Sequence, residues 1–223
     1  MLEVINQNAG QLSGILDLSY YRLTFWKETN RRINYRRFFT VNELICLRME
    51  DQNVFDEYHA YLFKLFSDNL IDGFRIDHID GLQDPAKYTR ELRLQTGESS
   101  YIIAEKILEA KEDMPAQWPL QGTSGYEFLS ILNQLLTLRK GARQLLNFYQ
   151  ELVPGMPPYD QLIFESKKLI LENYMAGEWN NLTFLFRSLG LAANFSDERI
   201  KSALGLFMLA LPVYRIYPDT LPL

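Results

Sequence analysis

The chain has 223 residues, of which 47% are hydrophobic and 13% aromatic, and it carries a formal net charge of −5 at neutral pH. This composition predicts a soluble globular protein of one or two domains. The negative charge argues against a nucleic-acid partner or an acidic membrane surface, and no apolar run is long enough to predict a membrane span. The single cysteine, Cys46, excludes an internal disulfide. Because no signal peptide is recognisable either, we expect a cytoplasmic protein.

The first strong pattern along the chain is an amphipathic helix over residues 53–69, which leads directly into a short predicted strand. Apolar residues recur through the helix at helical spacing, and Asp51 or Asn53 can cap its start. Residues 71–81 (IDGFRIDHIDG) then predict a strand that ends at a polar cluster and a glycine. A helix that passes at once into a strand is the order expected in a (β/α) barrel.

The strand carries two charged residues on one face, because side chains alternate along a strand and Arg75 and Asp77 are two residues apart. We expect that face to be buried, with the guanidinium holding Asp77 as an anion, since an unpaired buried charge is very costly. An Arg-x-Asp pair alone more often indicates a structural ion pair, but His78, Asp80 and Gly81 favour an active site at the strand's carboxyl end. A metal site there is not favoured, because neighbouring strand residues face opposite ways, and no metal is predicted.

A second acid, Glu105, ends the next predicted strand, residues 101–104 (YIIA). Between the two strands Asp84 can cap a helix that begins at Pro85. The order strand, helix, strand implies two parallel neighbours joined by a right-handed crossover. Asp77 and Glu105 are therefore expected at one rim of the sheet. Two carboxylates so placed suit glycoside chemistry, with retention at a separation of about 5–5.5 Å and inversion at a wider one.

Residues 109–125 predict a long loop at the same rim, and loops of this length in compact domains are usually functional. We expect Trp118 to anchor the loop, with a sugar platform as the alternative, and Tyr126 is a candidate sugar platform. From there to residue 211 the pattern is almost wholly helical, which we interpret as an inserted helical subdomain because an ordinary crossover is far shorter. Residues 212–217 (PVYRIY) predict a further strand.

Several of these motifs resemble the α-amylase superfamily and, within it, the maltooligosyl trehalose synthases. The GFRID of residues 73–77 resembles the nucleophile motif of the superfamily, and the IAEK of residues 103–106 resembles its acid/base motif. The longer resemblance covers about residues 21–217 and is more specific than either motif. It is carried by GFRIDHIDGLQDP (73–85), EKIL (105–108), INYRRFF (33–39), WP (118–119) with GTSGY (122–126), and PVYR (212–215).

The resemblance implies an intramolecular transglycosylation in which the reducing-end α-1,4 linkage of a maltooligosaccharide becomes an α,α-1,1 linkage. It implies Asp77 as the nucleophile and Glu105 as the acid/base. We expect Glu105 to lie in an apolar setting, which would keep it protonated as a general acid must be. No cofactor is required by this chemistry.

Other residues are implied to bind the maltooligosaccharide substrate from positions at or near the same rim. They are Arg75, His78, Asp80, Lys106 and Tyr126. For Lys106, contact with an acceptor sugar and exposure to solvent stay open as alternatives. The aromatic and basic segment 21–39 predicts a hairpin or loop, from which one side chain can approach the glucan.

The predicted fold class is α/β and helix-rich: a partial (β/α)8 TIM barrel of the α-amylase type with an inserted helical subdomain. We predict residues 1–125 as the middle of the barrel, 126–211 as the helical subdomain and 212–223 as the start of the next strand. The first motif of the superfamily and its third catalytic Asp are absent, so we expect a central fragment, inactive alone and prone to self-association through exposed sheet edges. The alternatives are an α-glucan hydrolase or transferase of the same superfamily, and a non-catalytic helical binding module.

Overall fold

The computed structural model of the chain describes residues 2–109 and 112–217. Its contacts separate two compact units. They consist of Met1–Leu44 with Lys167–Leu206, and of Ile45–Ser166 with Phe207–Leu223. The second unit contains both strands that end in the candidate acids. The predicted domains 1–125, 126–211 and 212–223 stay a prediction.

Helices make up most of the described residues, and the strands are few and short, in agreement with a helix-rich class. The α-helices are α1 (Leu2–Asn6), α2 (Ala9–Asp17), α3 (Gln52–Ser67), α4 (Pro85–Thr96), α5 (Tyr126–Leu136), α6 (Arg139–Leu152), α7 (Tyr159–Asn173), α8 (Ala176–Ser188) and α9 (Asp197–Ala210). Short 3₁₀ helices span Trp26–Asn30 and Ile79–Gly81. The strands are β1 (Arg37–Phe38), β2 (Val41–Ile45), β3 (Gly73–Ile76), β4 (Tyr101–Ala104) and β5 (Gly122–Thr123).

In the first unit, Arg37 joins the small β1–β2 sheet to the helices. Its buried guanidinium donates to Glu178 Oε1 at 2.9 Å, to Asn42 Oδ1 at 2.5 Å and to the carbonyl of Tyr174 at 2.8 Å. A buried charge is tolerated only when its donors are matched in this way. Through Arg37, the aromatic and basic segment therefore stabilises the packing of this unit, in agreement with the predicted hairpin.

The second unit is built on a parallel sheet with the strand order β3–β4–β5. Helix α3 leads into β3, and α4 connects β3 to its neighbour β4, which confirms the predicted strand–helix–strand order. Both helices begin at predicted caps. The Asp51 carboxylate accepts from the Asn53 N–H at 3.0 Å, and the Asp84 carboxylate accepts from the Lys87 N–H at 2.8 Å, with Pro85 in the first turn.

Two buried clusters hold this sheet in place, and burial of apolar surface is the main stabilising contribution in such a unit. One cluster packs the sheet against α3 and α4, and its buried members are Phe74, Leu92 and Ile102. The other lies at the carboxyl end of the strands, and its buried members are Ile79, Ala86, Ala104, Trp118 and Tyr217. Over residues 2–109 and 112–217, no helix combines the length and the apolar character needed to cross a membrane.

The predicted strand over residues 212–217 is wrong, since none of these described residues lies in a strand. The guanidinium of Arg215 donates instead to three backbone carbonyls of residues 80–83, in the turn that follows β3. Residues 212–217 are thus held to the turn by the side chain of Arg215 and not by the backbone hydrogen bonds of a strand. The third strand is Gly122–Thr123, inside the predicted loop. The end of the prediction, residues 218–223, lies outside the described residues.

Close approach of β3 and β4 depends on Gly73, because a Cβ at this position would lie 2.0 Å from the carbonyl oxygen of Tyr101. The obstacle is backbone, so the two strands would have to move apart. We expect Gly73→Ala to lower the free energy of unfolding of the chain by about 2–4 kcal/mol, measured by urea titration. Gly141→Ala is the matched control: the Cβ there would meet only Leu138, at 4.0 Å, in helix α6. An unchanged midpoint for Gly73→Ala would contradict this packing.

His59 is buried between two polar partners on α3 and α4. Its Nδ1 lies 2.7 Å from the Phe55 carbonyl, which can only accept, so Nδ1–H donates and Nε2 accepts from the Tyr88 hydroxyl at 2.8 Å. Burial lowers the pKa of His59 below its ordinary value of 6.5 and raises the pKa of Tyr88. The neutral imidazole is therefore the form that the fold accommodates.

This pairing predicts a loss of stability on acidification. The folded state binds the His59 proton less readily than the unfolded state, so stability is fully present above pH 6.5 and falls as the pH drops from 6.5 towards the lower folded-state pKa. The slope in that window reaches about 1.4 kcal/mol per pH unit. Urea midpoints at about pH 8 and about pH 5.5 measure it. The His59→Phe variant should be less stable than the unmodified chain at the higher pH, yet its urea midpoint should fall less between the higher and the lower pH. An equal fall in the midpoint of both proteins would contradict the assignment of the pH effect to His59.

Candidate active site

Asp77 and Glu105 follow directly on two neighbouring parallel strands. The register pairs Arg75 with Ile103 and Ile76 with Ala104, and the Glu105 N–H donates to the carbonyl of Ile76 at 2.7 Å. The two acids therefore occupy equivalent positions, one residue beyond the paired ends. Neighbouring strands lie about 4.8 Å apart, so backbone positions at this edge are compatible with the separation of about 5–5.5 Å that a retaining pair needs.

Arg75 bridges the two acids. One guanidinium nitrogen lies 2.8 Å from Asp77 Oδ1 and the other lies 3.5 Å from Glu105 Oε1. The predicted pairing of Arg75 with Asp77 is thus confirmed, but the predicted burial is wrong, since 49% of the Arg75 side chain and 67% of the Asp77 side chain are exposed. β3 is the outer strand of its sheet, so its side chains have a covering neighbour on one side only. Asp77 consequently faces open solvent.

The expected apolar setting of Glu105 is also wrong. Its Oε2 accepts the backbone N–H of His78 at 2.9 Å, while its Oε1 faces Arg75, and the side chain is 23% exposed. His78 can point its N–H at the acid because its backbone is left-handed, with φ 45° and ψ 51°. Such a conformation is uncommon outside glycine and often marks a functional turn. Glu105 is therefore oriented by a backbone donor and a guanidinium.

The two predicted rim residues beyond β3 have different surroundings. The ring of His78 packs against Gly81, where a Cβ would lie 2.5 Å from Nδ1. The carboxylate of Asp80 is only 9% exposed and is turned inward, where it accepts a hydrogen bond from the Tyr217 hydroxyl and faces the Lys106 ammonium at 3.4 Å. Contacts of His78 and Asp80 with a sugar stay predictions.

Lys106 is enclosed by the protein. Its side chain is 0% exposed, and its ammonium lies 2.7 Å from Glu112 Oε1 and 5.7 Å from the centre of the Tyr217 ring, in addition to its contact with Asp80. The alternative of a solvated Lys106 is therefore wrong, because two carboxylates and an aromatic face replace water around the charge. Contact between Lys106 and an acceptor sugar stays a prediction, although no part of the ammonium is exposed.

Tyr126 begins helix α5, directly after Gly125, whose positive φ of 88° turns the chain into the helix. Tyr126 is 41% exposed and lies on the same open face of the helix as Leu129 and Asn133. An exposed aromatic ring is suited to stacking on a sugar, and this role of Tyr126 stays a prediction. Trp118 is buried against Tyr217, at a ring-centre distance of 4.9 Å, which agrees with its expected part as an anchor.

Tyr217, Arg215 and Glu112 belong to this region, and the sequence interpretation did not predict them as site residues, although Arg215 lies in the PVYR motif. Tyr217 is buried, and burial together with its hydrogen bond to Asp80 raises its pKa. Its partner is 137 residues away along the chain, a separation at which no local pattern signals contact. In the described part of the chain no cluster of His, Cys, Asp and Glu is arranged to hold a metal ion.

Parallel strands joined by helices, with two acids and an arginine at their carboxyl edge, are the arrangement typical of amylase-type β/α proteins. Comparison with known proteins shows which of these the chain is similar to. A Mycobacterium tuberculosis protein named maltooligosyl trehalose synthase is 39% identical over 129 residues, which make up 58% of this chain and 17% of that protein. No protein-family model matches the chain.

Solved structures give the same answer. The maltooligosyltrehalose synthase of Arthrobacter ramosus superposes with a TM-score of 0.82 at 33% identity, covering 93% of this chain and 26% of that one. A glycosyltrehalose synthase superposes with a TM-score of 0.80 at 35% identity, covering 96% and 27%. The chain is thus homologous to a stretch of the maltooligosyl trehalose synthases, as its motifs predicted, and it spans about a quarter of the length of the solved relatives.

Proposed function

We propose that the full-length protein containing this chain is a glucan 1-α-glucosylmutase, which converts the reducing-end α-1,4 linkage of a maltooligosaccharide into an α,α-1,1 linkage and so serves trehalose biosynthesis. In this proposal the β3–α4–β4–β5 unit is part of a (β/α)8 barrel. The observation that carries it is the placement of Asp77 and Glu105 at equivalent ends of adjacent parallel strands, bridged by one guanidinium.

Asp77 is the proposed nucleophile. As the exposed acid of the pair, bound to Arg75 at 2.8 Å, it is accessible to an anomeric carbon from the open side of the sheet, and the guanidinium stabilises its anionic form. Attack on that carbon forms a glycosyl-enzyme while the bond to the terminal glucose breaks. A guanidinium beside both acids also stabilises the negative charge that leaves Asp77 when the glycosyl-enzyme forms and develops on Glu105 when it gives up its proton.

Glu105 is the proposed acid and base. It gives its proton to the departing oxygen and later takes one from the anomeric hydroxyl of the released glucose, which attacks the glycosyl-enzyme after turning over in the site. The N–H of His78 and the guanidinium of Arg75 fix the direction of the carboxyl group. Water must be kept out between the two steps, since water attack would give hydrolysis. The predicted loop over residues 109–125 is proposed to help exclude it.

Substrate contacts belong to the same proposal. Side chains at the carboxyl edge can donate to or accept from sugar hydroxyls, and Tyr126 offers a ring to an apolar sugar face. The proposed set is Arg75, His78, Asp80 and Tyr126; Lys106 is not included, because its ammonium is enclosed by the carboxylates of Asp80 and Glu112. The proposal also includes a cytoplasmic location. For the chain alone it includes inactivity and self-association through the open edges of its sheet, which sizing by light scattering tests directly.

The test of this function is the product formed from maltohexaose by the full-length protein. A mutase lowers the number of reducing ends without shortening the glucan, because both anomeric carbons of the new linkage are blocked. An α-glucan hydrolase would raise the number of reducing ends, a transferase of the same superfamily would redistribute chain lengths at a constant number, and a binding module would change neither. Loss of reducing ends with conserved chain length is the expected result, and any of the other three outcomes overturns the proposal.

A further inference from the structure

Lys106 is the most deeply buried charged side chain near the site, and its partners come from separate segments of the second unit. Its ammonium faces Asp80, in the 3₁₀ turn after β3, at 3.4 Å, and Glu112, beyond the end of β4, at 2.7 Å. The hydroxyl of Tyr217 donates to the same Asp80 carboxylate. A buried charge arrangement of this kind is costly to break, because removing one partner leaves an uncompensated charge.

This cluster lies directly beside the candidate acids in the chain. Lys106 is the residue after Glu105, and Asp80 is the third residue after Asp77. Beyond the ladder and the Arg75 contact, two further links join the ends of β3 and β4. One runs from the His78 N–H to the Glu105 carboxylate, and the other runs from Asp80 to Lys106. The first link is short and partly exposed, whereas the second is buried. A buried link restricts motion of the backbone that carries Glu105, since its groups have no water to exchange with.

We propose that Lys106 is a positioning residue: its buried ion pair with Asp80 holds the end of β4 against the turn after β3 and so sets the reach of the Glu105 carboxyl group towards the leaving oxygen. The inference rests on the proposed function, in which Glu105 is the proton donor. In this inference Lys106 acts on the reaction by positioning Glu105 and does not itself contact the sugar. A displacement of about 1 Å at a proton donor costs on the order of a hundredfold in rate.

The test compares two glycosyl donors, maltohexaose and α-maltopentaosyl fluoride, as substrates of the full-length protein. Transfer from maltohexaose needs a proton on the leaving oxygen, whereas α-maltopentaosyl fluoride releases fluoride without one, so only the first reaction depends on the position of Glu105. Lys106→Met should lower the single-turnover rate with maltohexaose by about a hundredfold and that of fluoride release by less than about threefold. Lys106→Arg should restore much of the maltohexaose rate, because arginine can also pair with Asp80.

Lys64→Met is the control, since it also removes a lysine paired with a carboxylate, Asp68, but one that lies on the exposed face of α3. If Lys106→Met does not fold, Asp80→Asn breaks the same link while leaving the ammonium its pair with Glu112, and the same unequal losses are expected. Equal losses with both donors, or no loss with either, overturn the inference. Failure of the proposed mutase function is separate, because it would show as a wrong product from the unmodified protein.

Discussion

Asp77→Asn in the full-length protein is expected to lower kcat on maltohexaose by about ten-thousandfold or more, because an amide cannot attack the anomeric carbon to form the glycosyl-enzyme. The same variant should lose fluoride release from α-maltopentaosyl fluoride, since that reaction uses the same nucleophile. Single-turnover rates with both donors, measured on protein whose thermal unfolding matches the unmodified one, provide the readout.

The matched control for Asp77 is Asp72→Asn. Asp72 immediately precedes the opposite end of the same strand, where its side chain is exposed and its backbone carbonyl accepts from the N–H of Tyr101. The two substitutions remove the same charge from β3 and its flanks, so a general electrostatic effect would appear in both. Activity close to normal in Asp77→Asn would remove Asp77 from the mechanism, whatever the control shows.

Glu105→Gln is expected to separate the two chemical steps. Its rate with maltohexaose should fall by about a hundredfold to ten-thousandfold, because the leaving oxygen then departs without a proton. The first release of fluoride from α-maltopentaosyl fluoride should remain near normal, since fluoride needs no proton to leave. The second step should then be slow for lack of a base, so that the glycosyl-enzyme accumulates and is detected as a mass increase of the intact protein.

Glu98→Gln serves as the control for Glu105, because Glu98 is an exposed acid just before β4, at the amino end of the strand. It should leave both donors unaffected. A loss of fluoride release in Glu105→Gln equal to the loss with maltohexaose would show that the residue supports the fold of the edge instead of supplying the proton. Unchanged rates with maltohexaose would exclude Glu105 as the acid.

Local patterns predicted the helices and strands around the site well. The caps at Asp51 and Asp84 and the proline at position 85 act within a few residues, so the sequence carries all the information they need. The parallel pairing of β3 with β4 followed from their separation by a helix, because a parallel pair requires a long crossover. The strand expected over residues 212–217 was wrong, since its apolar and aromatic composition did not reveal that Arg215 binds the carbonyls of residues 80–83.

The candidate site was predicted only in part. The convergence of Asp77 and Glu105 at one edge, with Arg75 beside them, followed from strand order and alternation. The surroundings of these residues did not follow. Exposure of Arg75 depends on its place on an outer strand, and the setting of Glu105 depends on the left-handed backbone of His78. Neither feature has a pattern that can be read from neighbouring residues alone.

The sequence by itself determined which acids this protein brings to the edge of its sheet and the family that it resembles, because strand alternation, helix caps and motif spacing are local properties of the chain. Only the tertiary structure decided which charges are buried. Lys106 lies beside Glu105 in the sequence, yet Lys106 is enclosed by Asp80, Glu112 and Tyr217, while Glu105 stays partly exposed beside Arg75. Burial depends on segments that are distant in the chain, and their meeting is a property of the fold.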